Sequence, residues 1–407
     1  MDLRTVRRVA ELLSRLSGRK QEVAVLPMRV QKAPFPAGPE DALPRAAPES
    51  VGIRSGYLQS FLERAAADRG ENLHSLTVLR HGKVIAACSF APFDRTVWHV
   101  THSLCKTVTG LCAGILIGDG LLSPDERVAD IFPEKASPVA RIRWRGLLVR
   151  HLLNMTSGAS INELASVTQT DWVRGFLDSV PQFEPGESFQ YNSMNSYMLS
   201  AIICKKTGGT LTEFLQARLF GPMGIRDFHW ETCPFGIEKG GWGLYLKQED
   251  MAKLGLLVLQ RGKWDGRALV PEDYIREMSR KQSEPPAEMS DYGYGWQCWL
   301  WARPGSILFN GLFGQNILVI PDLDMVIASN AGGDRMFGKS GYLSLCETYF
   351  GAGVKLPDTC PPDPRAYRRL CRAVRQLEQG APPEKGLAGF LAQRRQRKLN
   401  EARSAEV

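Results

Sequence analysis

Thr96–Gly120 reads TVWHVTHSLCKTVTGLCAGILIGDG, and its first half decides how the rest of the chain is understood. Within it stands Ser103-Leu104-Cys105-Lys106. A serine is a weak nucleophile unless a nearby base takes its proton. Residues three apart on a helix are neighbours, so a lysine at that spacing reaches the hydroxyl. Burial and the positive end of a helix both disfavour an ammonium, which suits such a lysine to act as a base. The residues that follow predict a buried helix carrying Val108, Leu111, Cys112, Ile115 and Leu116, ended by Gly118 or Gly120. Alone the motif is weak. About one Ser-x-x-Lys is expected by chance in a chain of this length, and Ser17-Gly18-Arg19-Lys20 on a basic segment is such a copy. The bland reading of Ser103 is a helix N-cap.

On either side of this stretch the pattern is that of an α+β fold. Ser75–Leu79 and Val84–Phe90, joined through His81-Gly82-Lys83, predict a hairpin. From about 103 to 285 the periodicity is mostly helical, with frequent Gly and Pro. Strand signals return at Tyr294–Leu300, Ile307–Phe313, Ile317–Ile320 and Met325–Ser329, followed by a helix over Gly341–Phe350. An antiparallel sheet built from N- and C-terminal strands, flanked by helices and carrying an inserted mostly helical subdomain, accounts for this order. The expected organisation is an N-terminal helix and extended arm (1–50), a body (51–350, insert about 110–285), and a basic, partly helical tail (351–407).

Further phrases give the resemblance. HLLNMTSG (151–158), FEPGESFQYNSMNSYMLSAI (from Phe183), LFGPMGI (219–225), GGWGLYL (240–246) and YGYGW (292–296) follow the serine in order. Over about residues 50–350 the chain resembles the serine β-lactamase and penicillin-binding-protein superfamily, in particular its class C-related esterases and nylon-oligomer-type amide hydrolases. The resemblance implies that Ser103 is the nucleophile and Lys106 its base. It implies that Tyr191, opening Tyr191-Asn192-Ser193, relays a proton to the leaving group. The third family motif corresponds to Phe309-Asn310-Gly311, and the Leu312 amide would join that of Ser103 in an oxyanion hole. Two departures stand out. Ser193 replaces the usual Asn of the second motif, with Asn195 two residues on as a substitute. Phe309 replaces the basic residue that holds a substrate carboxylate, which favours an ester or small amide over a β-lactam or D,D-peptide. No metal or organic cofactor is implied.

The bulk numbers fit a globular enzyme. The chain has 407 residues, 43% hydrophobic and 23% charged, with a net charge of +8. Residues 1–20 carry six basic and two acidic side chains, and 364–407 carry eleven and four, so the body between them is mildly acidic. The basic ends are read as solvated helical surface, with docking on a membrane or partner as the alternative; no nucleic-acid partner is expected. Residues 3–16 place Leu3, Val6, Val9, Leu12, Leu13 and Leu16 at helical spacing. No signal-peptide core or 18-residue apolar span is present, and the nine cysteines include no Cys-x-x-Cys; a reduced, cytoplasmic setting is the simplest expectation. The six histidines show no metal-binding spacing. Two rivals remain. Gly333–Ser340 (GDRMFGKS) matches a phosphate-loop pattern, though no strand after it supplies a magnesium-binding Asp. The altered motifs also allow a catalytically inactive scaffold.

Overall fold

The computed structural model describes residues 42–166, 169–333 and 340–380. The segment 3–16, the Ser17–Lys20 copy, the centre of the phosphate-loop pattern and the end of the basic tail lie outside the described residues. The strands used below are β1 (Leu73–Arg80), β2 (Lys83–Ser89), β3 (His99–Val100), β4 (His229–Trp230), β5 (Leu244–Leu246), β6 (Trp299–Leu300), β7 (Ile307–Gly311), β8 (Gln315–Ile320) and β9 (Met325–Ala331). The helices are α1 (Ser55–Ala67), α2 (Cys105–Gly118), α3 (Val149–Leu153), α4 (Ser193–Thr207), α5 (Gln248–Leu259), α6 (Gly341–Phe350) and α7 (Pro364–Gln379).

Six strands form one antiparallel sheet in the order β2-β1-β9-β8-β7-β6. The first hairpin thus lies against the last strand, with Leu76 opposite Ser329 and Val78 opposite Ile327. The β1–β2 turn has positive φ at His81 and Gly82, the left-handed pair whose twist suits a two-residue hairpin. Strand alternation sorts the core into two layers. Ile317, Val319, Val326 and Ala328 face the layer holding α2, α4 and α5, while Leu318, Ile320, Met325 and Ile327 face α1, α6 and α7. The insert is not wholly helical: β5 pairs with both β3 and β4, and this small sheet fixes the approach to the serine.

Two expected strands are shorter than the sequence suggests. Of Tyr294–Leu300 only Trp299–Leu300 is a strand, because Gly293 (φ +104) and Gln297 (φ +58) break the extended run. Ile307–Phe313 stops at Gly311, where a 3-10 turn with Phe313 at φ +63 takes over. Part of the basic tail joins the body. Asp363 caps α7, Pro364 opens it, and Leu370 is buried against α1 and β2.

Candidate active site

Helix α2 is buried all round from Cys105 to Leu116, so its start is held firmly under the sheet. Ser103 precedes it in a 3-10 turn, His102–Leu104, where His102 has φ +48. A bulky residue at positive φ is uncommon and is kept only where the surroundings impose it. Here Thr101 is pinned on one side by its N–H and hydroxyl, both donating to the Leu244 carbonyl. On the other side lies the end of β7. A Cβ on Gly311 would stand 2.2 Å from the Thr101 carbonyl oxygen and 3.1 Å from the Leu104 nitrogen, so only glycine lets β7 come this close.

Lys106 is 1% exposed and its Nζ has three partners: Ser103 Oγ at 2.8 Å, Ser193 Oγ at 2.7 Å and the Gly241 carbonyl at 2.8 Å. The same nitrogen lies 4.9 Å from the Tyr191 ring centroid. Tyr191 is held in turn by stacking on Trp299 (5.3 Å) and by an edge contact with Tyr294 (6.2 Å). The fold therefore gathers Ser103, Lys106, Tyr191 and Ser193, which are spread over some ninety residues of chain. The His102 ring meets Phe313 edge-on at 5.3 Å. Its pKa is lowered to about 4, chiefly by burial; the Glu231 carboxylate opposes this and Lys106 adds a smaller lowering. His102 is thus a neutral wedge beside the serine.

Asn310 and Asn195 are placed differently from one another. Asn310 lies in β7, where its Nδ2 donates to Asn316 Oδ1 at 2.8 Å, and it borders a cleft that also includes Trp299. Leu312 begins the turn after Gly311, half-buried. Asn195 does not reach Ser103. It is fully buried in α4, accepts a hydrogen bond from Ser157 Oγ at 2.6 Å and donates to Met155 Sδ. It is a support for the 151–158 segment and not a stand-in for the missing Asn; the residue in contact with Lys106 is Ser193. Asn192 caps α4 and donates to the Ala159 and Ile161 carbonyls. Phe309 is fully buried, so the position of the family's basic residue belongs to the core.

Two contributors were not singled out from the sequence. The Gly240-Gly241 backbone accepts from Cys105 Sγ, Thr109 Oγ1 and Lys106 Nζ, which fastens the phrase GGWGLYL to the start of α2. Gln297 joins α2, α3 and α4: its carbonyl accepts from Thr107 Oγ1, its Nε2 donates to the Leu152 carbonyl, and its Oε1 accepts from Ser196 Oγ. The paired glycines were a signal that the quoted phrase already contained; Gln297 had none. Cys105 is fully buried and its thiol is pushed up to about 12 by burial, which makes it a packing residue. Among the described residues no group of three or more His, Cys, Asp or Glu is positioned to hold a metal ion. Ser340, the last residue of the phosphate-loop pattern, caps α6 and donates to Glu71, and the strand before it runs antiparallel to both neighbours.

An antiparallel sheet with inserted helices and a serine–lysine pair at the head of a buried helix is the frame of serine hydrolases related to β-lactamases. The chain belongs to the beta-lactamase family, whose sequence model matches residues 58–339. It is 27% identical over 337 residues to a 6-aminohexanoate-dimer hydrolase of Paenarthrobacter ureafaciens, covering 74% of this chain and 81% of that one. It is 21% identical over 309 residues to a penicillin-binding protein of Bacillus subtilis (strain 168), covering 63% and 66%. In fold it is similar to EstCE1, a hydrolase with promiscuous acyltransferase activity, at a TM-score of 0.60, 18% identity and coverage of 73% and 99%. No helix among the described residues is long and apolar enough to cross a membrane.

Proposed function

We propose that the protein is a serine hydrolase that cleaves an ester or small amide through an acyl-enzyme on Ser103. The carrying observation is the contact of Lys106 Nζ with Ser103 Oγ at 2.8 Å, beside the Tyr191 ring. A neutral lysine amine has two N–H groups and one lone pair. The Gly241 carbonyl can only accept, and Ser193 Oγ is free to accept, which leaves the lone pair for the Ser103 proton. Ser103 then attacks the substrate carbonyl, and the oxyanion is held by the Ser103 and Leu312 amides. The proton passes through Lys106 and Tyr191 to the leaving group, and water reverses the sequence on the acyl-enzyme.

The surroundings favour substrates without a carboxylate. A cleft beside Asn310, of about 260 Å³, is lined among the described residues by Tyr292, Trp299 and Trp301 and by Glu288, Asp291 and Glu347. The buried Phe309 supplies no cation to hold a substrate carboxylate, which favours an ester or small amide over a carboxylate-bearing β-lactam. The apolar and aromatic walls suit an apolar acyl or alcohol portion.

Hydrolysis of p-nitrophenyl butyrate and fluorophosphonate labelling, measured on the wild-type protein, Ser103→Ala and Ser17→Ala, test the reading. Loss of turnover and label in Ser103→Ala alone is expected. A wild-type protein that neither turns over nor labels points to an inactive scaffold. Rapid β-lactam turnover without ester or linear-amide hydrolysis overturns the substrate assignment.

A further inference from the structure

The β7–β8 hairpin turns through Leu312–Gly314, with Phe313 at φ +63 and Gly314 at φ +92. A phenylalanine in left-handed backbone is uncommon and persists where the surroundings hold it. The buried side chain of Gln315 is one such hold. Its Nε2 lies 2.5 Å from the Ala331 carbonyl oxygen and 3.4 Å from those of Leu312 and Phe313. Two N–H groups thus serve three acceptors, one of them on β9 and two on the turn. The Phe313 carbonyl also accepts from Gly333 N at 3.1 Å.

The orientation of this amide is fixed from behind. Asn330 Nδ2 donates to Gln315 Oε1 at 3.0 Å, and Asn330 Oδ1 accepts from Ser75 Oγ at 2.8 Å. All three side chains are buried, and either amide turned the other way would set donor against donor. The chain of bonds crosses three neighbouring strands, β1, β9 and β8, and its last donors point at the segment beside Ser103. That segment meets the Ser103 turn twice. Gly311 stands against the Thr101 carbonyl, and the Phe313 ring meets His102 edge-on. Between these contacts lies the peptide unit that carries the Leu312 N–H. Gly311 (φ −129, ψ 153), paired with Gln315 across the hairpin, fixes that unit on one side. The Leu312 carbonyl, held by the Gln315 side chain, fixes it on the other.

We propose that Gln315 is a positioning residue for the hydrolase site: its amide holds the Leu312–Gly314 turn so that the Leu312 N–H faces the oxyanion as it forms. This role rests on the serine-hydrolase reading, in which that N–H pairs with the Ser103 amide. A donor of this kind lowers the barrier only if it is already aimed when the charge develops. In this role Gln315 touches no substrate atom and moves no proton.

Turnover of p-nitrophenyl butyrate and of its thiono analogue by the wild-type protein, Gln315→Met and Gln248→Met tests it. Sulfur is too large and too weak an acceptor for donors set for oxygen, so the oxo-to-thiono ratio of kcat/KM reads the oxyanion contact. Gln248 is the comparison, a second buried glutamine, bonded to Thr77 Oγ1 on β1 and Ser89 Oγ on β2. Both variants keep a side chain of similar length and lose its hydrogen bonds, and both should melt lower than wild type. Gln315→Met alone should lose kcat, by about ten- to a hundredfold with KM within about twofold, and its oxo-to-thiono ratio should fall by a similar factor. Should Gln315→Met not fold, Gln315→Glu takes its place, since it keeps the acceptor for Asn330 and loses the donors to the turn. An unchanged ratio in the folded Gln315 variant, or an equal fall in Gln248→Met, overturns the assignment and leaves the hydrolase reading standing. A wild-type protein with neither turnover nor fluorophosphonate labelling removes that reading, and the role of Gln315 with it.

Discussion

Lys106 has no carboxylate within its own set of contacts; its three hydrogen-bond partners are two hydroxyls and a carbonyl. At this scale the candidate site is one amine shared between the Ser103 hydroxyl and two fixed supports. Lys106→Met keeps the stem and removes the base, and a fall in kcat of roughly 10²- to 10⁴-fold is expected. Ser193→Ala removes one support. It should lower kcat by about tenfold, while the buried amine left short of a partner costs roughly 1–3 kcal/mol of stability. A Ser193→Ala protein as active and as stable as wild type removes this residue from the site. Iodoacetamide should leave activity intact, because Cys105 lies fully buried with its thiol pushed up to about 12.

At the level of elements, the Ser103 turn is clamped between β5 and β7. Gly311→Ala pushes a methyl group into the Thr101 carbonyl, which is backbone and cannot swing away. A displacement of about 1 Å at the reacting centre is enough for a hundredfold loss of rate. Such a loss is expected here with the fluorophosphonate label much slowed, and an unaltered rate of labelling contradicts the clamp. Gln297 is the corresponding pin between helices. Gln297→Leu leaves the Leu152 carbonyl and Ser196 Oγ without the partner they now have, and adds a branched side chain at φ +58. A loss of roughly 2–4 kcal/mol, read by denaturant unfolding, is expected from the two effects together.

For the whole molecule, acid is the revealing stress. His102 and His74 both have pKa values lowered to about 4, chiefly by burial. For His74, stacked on Phe93 at 3.7 Å, the neighbouring His99 adds to the effect. In the unfolded chain each takes up its proton near pH 6.5. The unfolded state therefore binds more protons between pH 6.5 and 4. The stabilisation is complete above 6.5 and is lost as pH falls through that window. It amounts to at most about 3 kcal/mol for His102 and less for His74, whose ring keeps more solvent. Melting temperatures taken from pH 7.5 to 4.5 should fall more steeply for wild type than for His74→Gln; parallel curves would remove His74 from this account.

Much of this was legible in the sequence because it was local. The hairpin through His81-Gly82, the buried helix after Ser103, the helix Gly341–Phe350 and the return of strands after residue 300 all follow from periodicity and turn chemistry. So does the serine–lysine spacing, which a helix turns into a contact without help from the rest of the chain. What the sequence could not contain is the meeting of distant pieces. Asn195 and Ser193 sit two residues apart on the same helix. Only the packing of α4 on α2 and on the 151–158 segment sends one to Met155 and Ser157 and the other to Lys106. The extended runs at 294–300 and 307–313 were cut short because Gln297 and Phe313 take left-handed backbone to meet partners far away in the chain. Local sequence determined the elements and the serine–lysine pair. The tertiary structure decided which polar side chains face the amine, since burial leaves each of them only the partner that packing brings within reach.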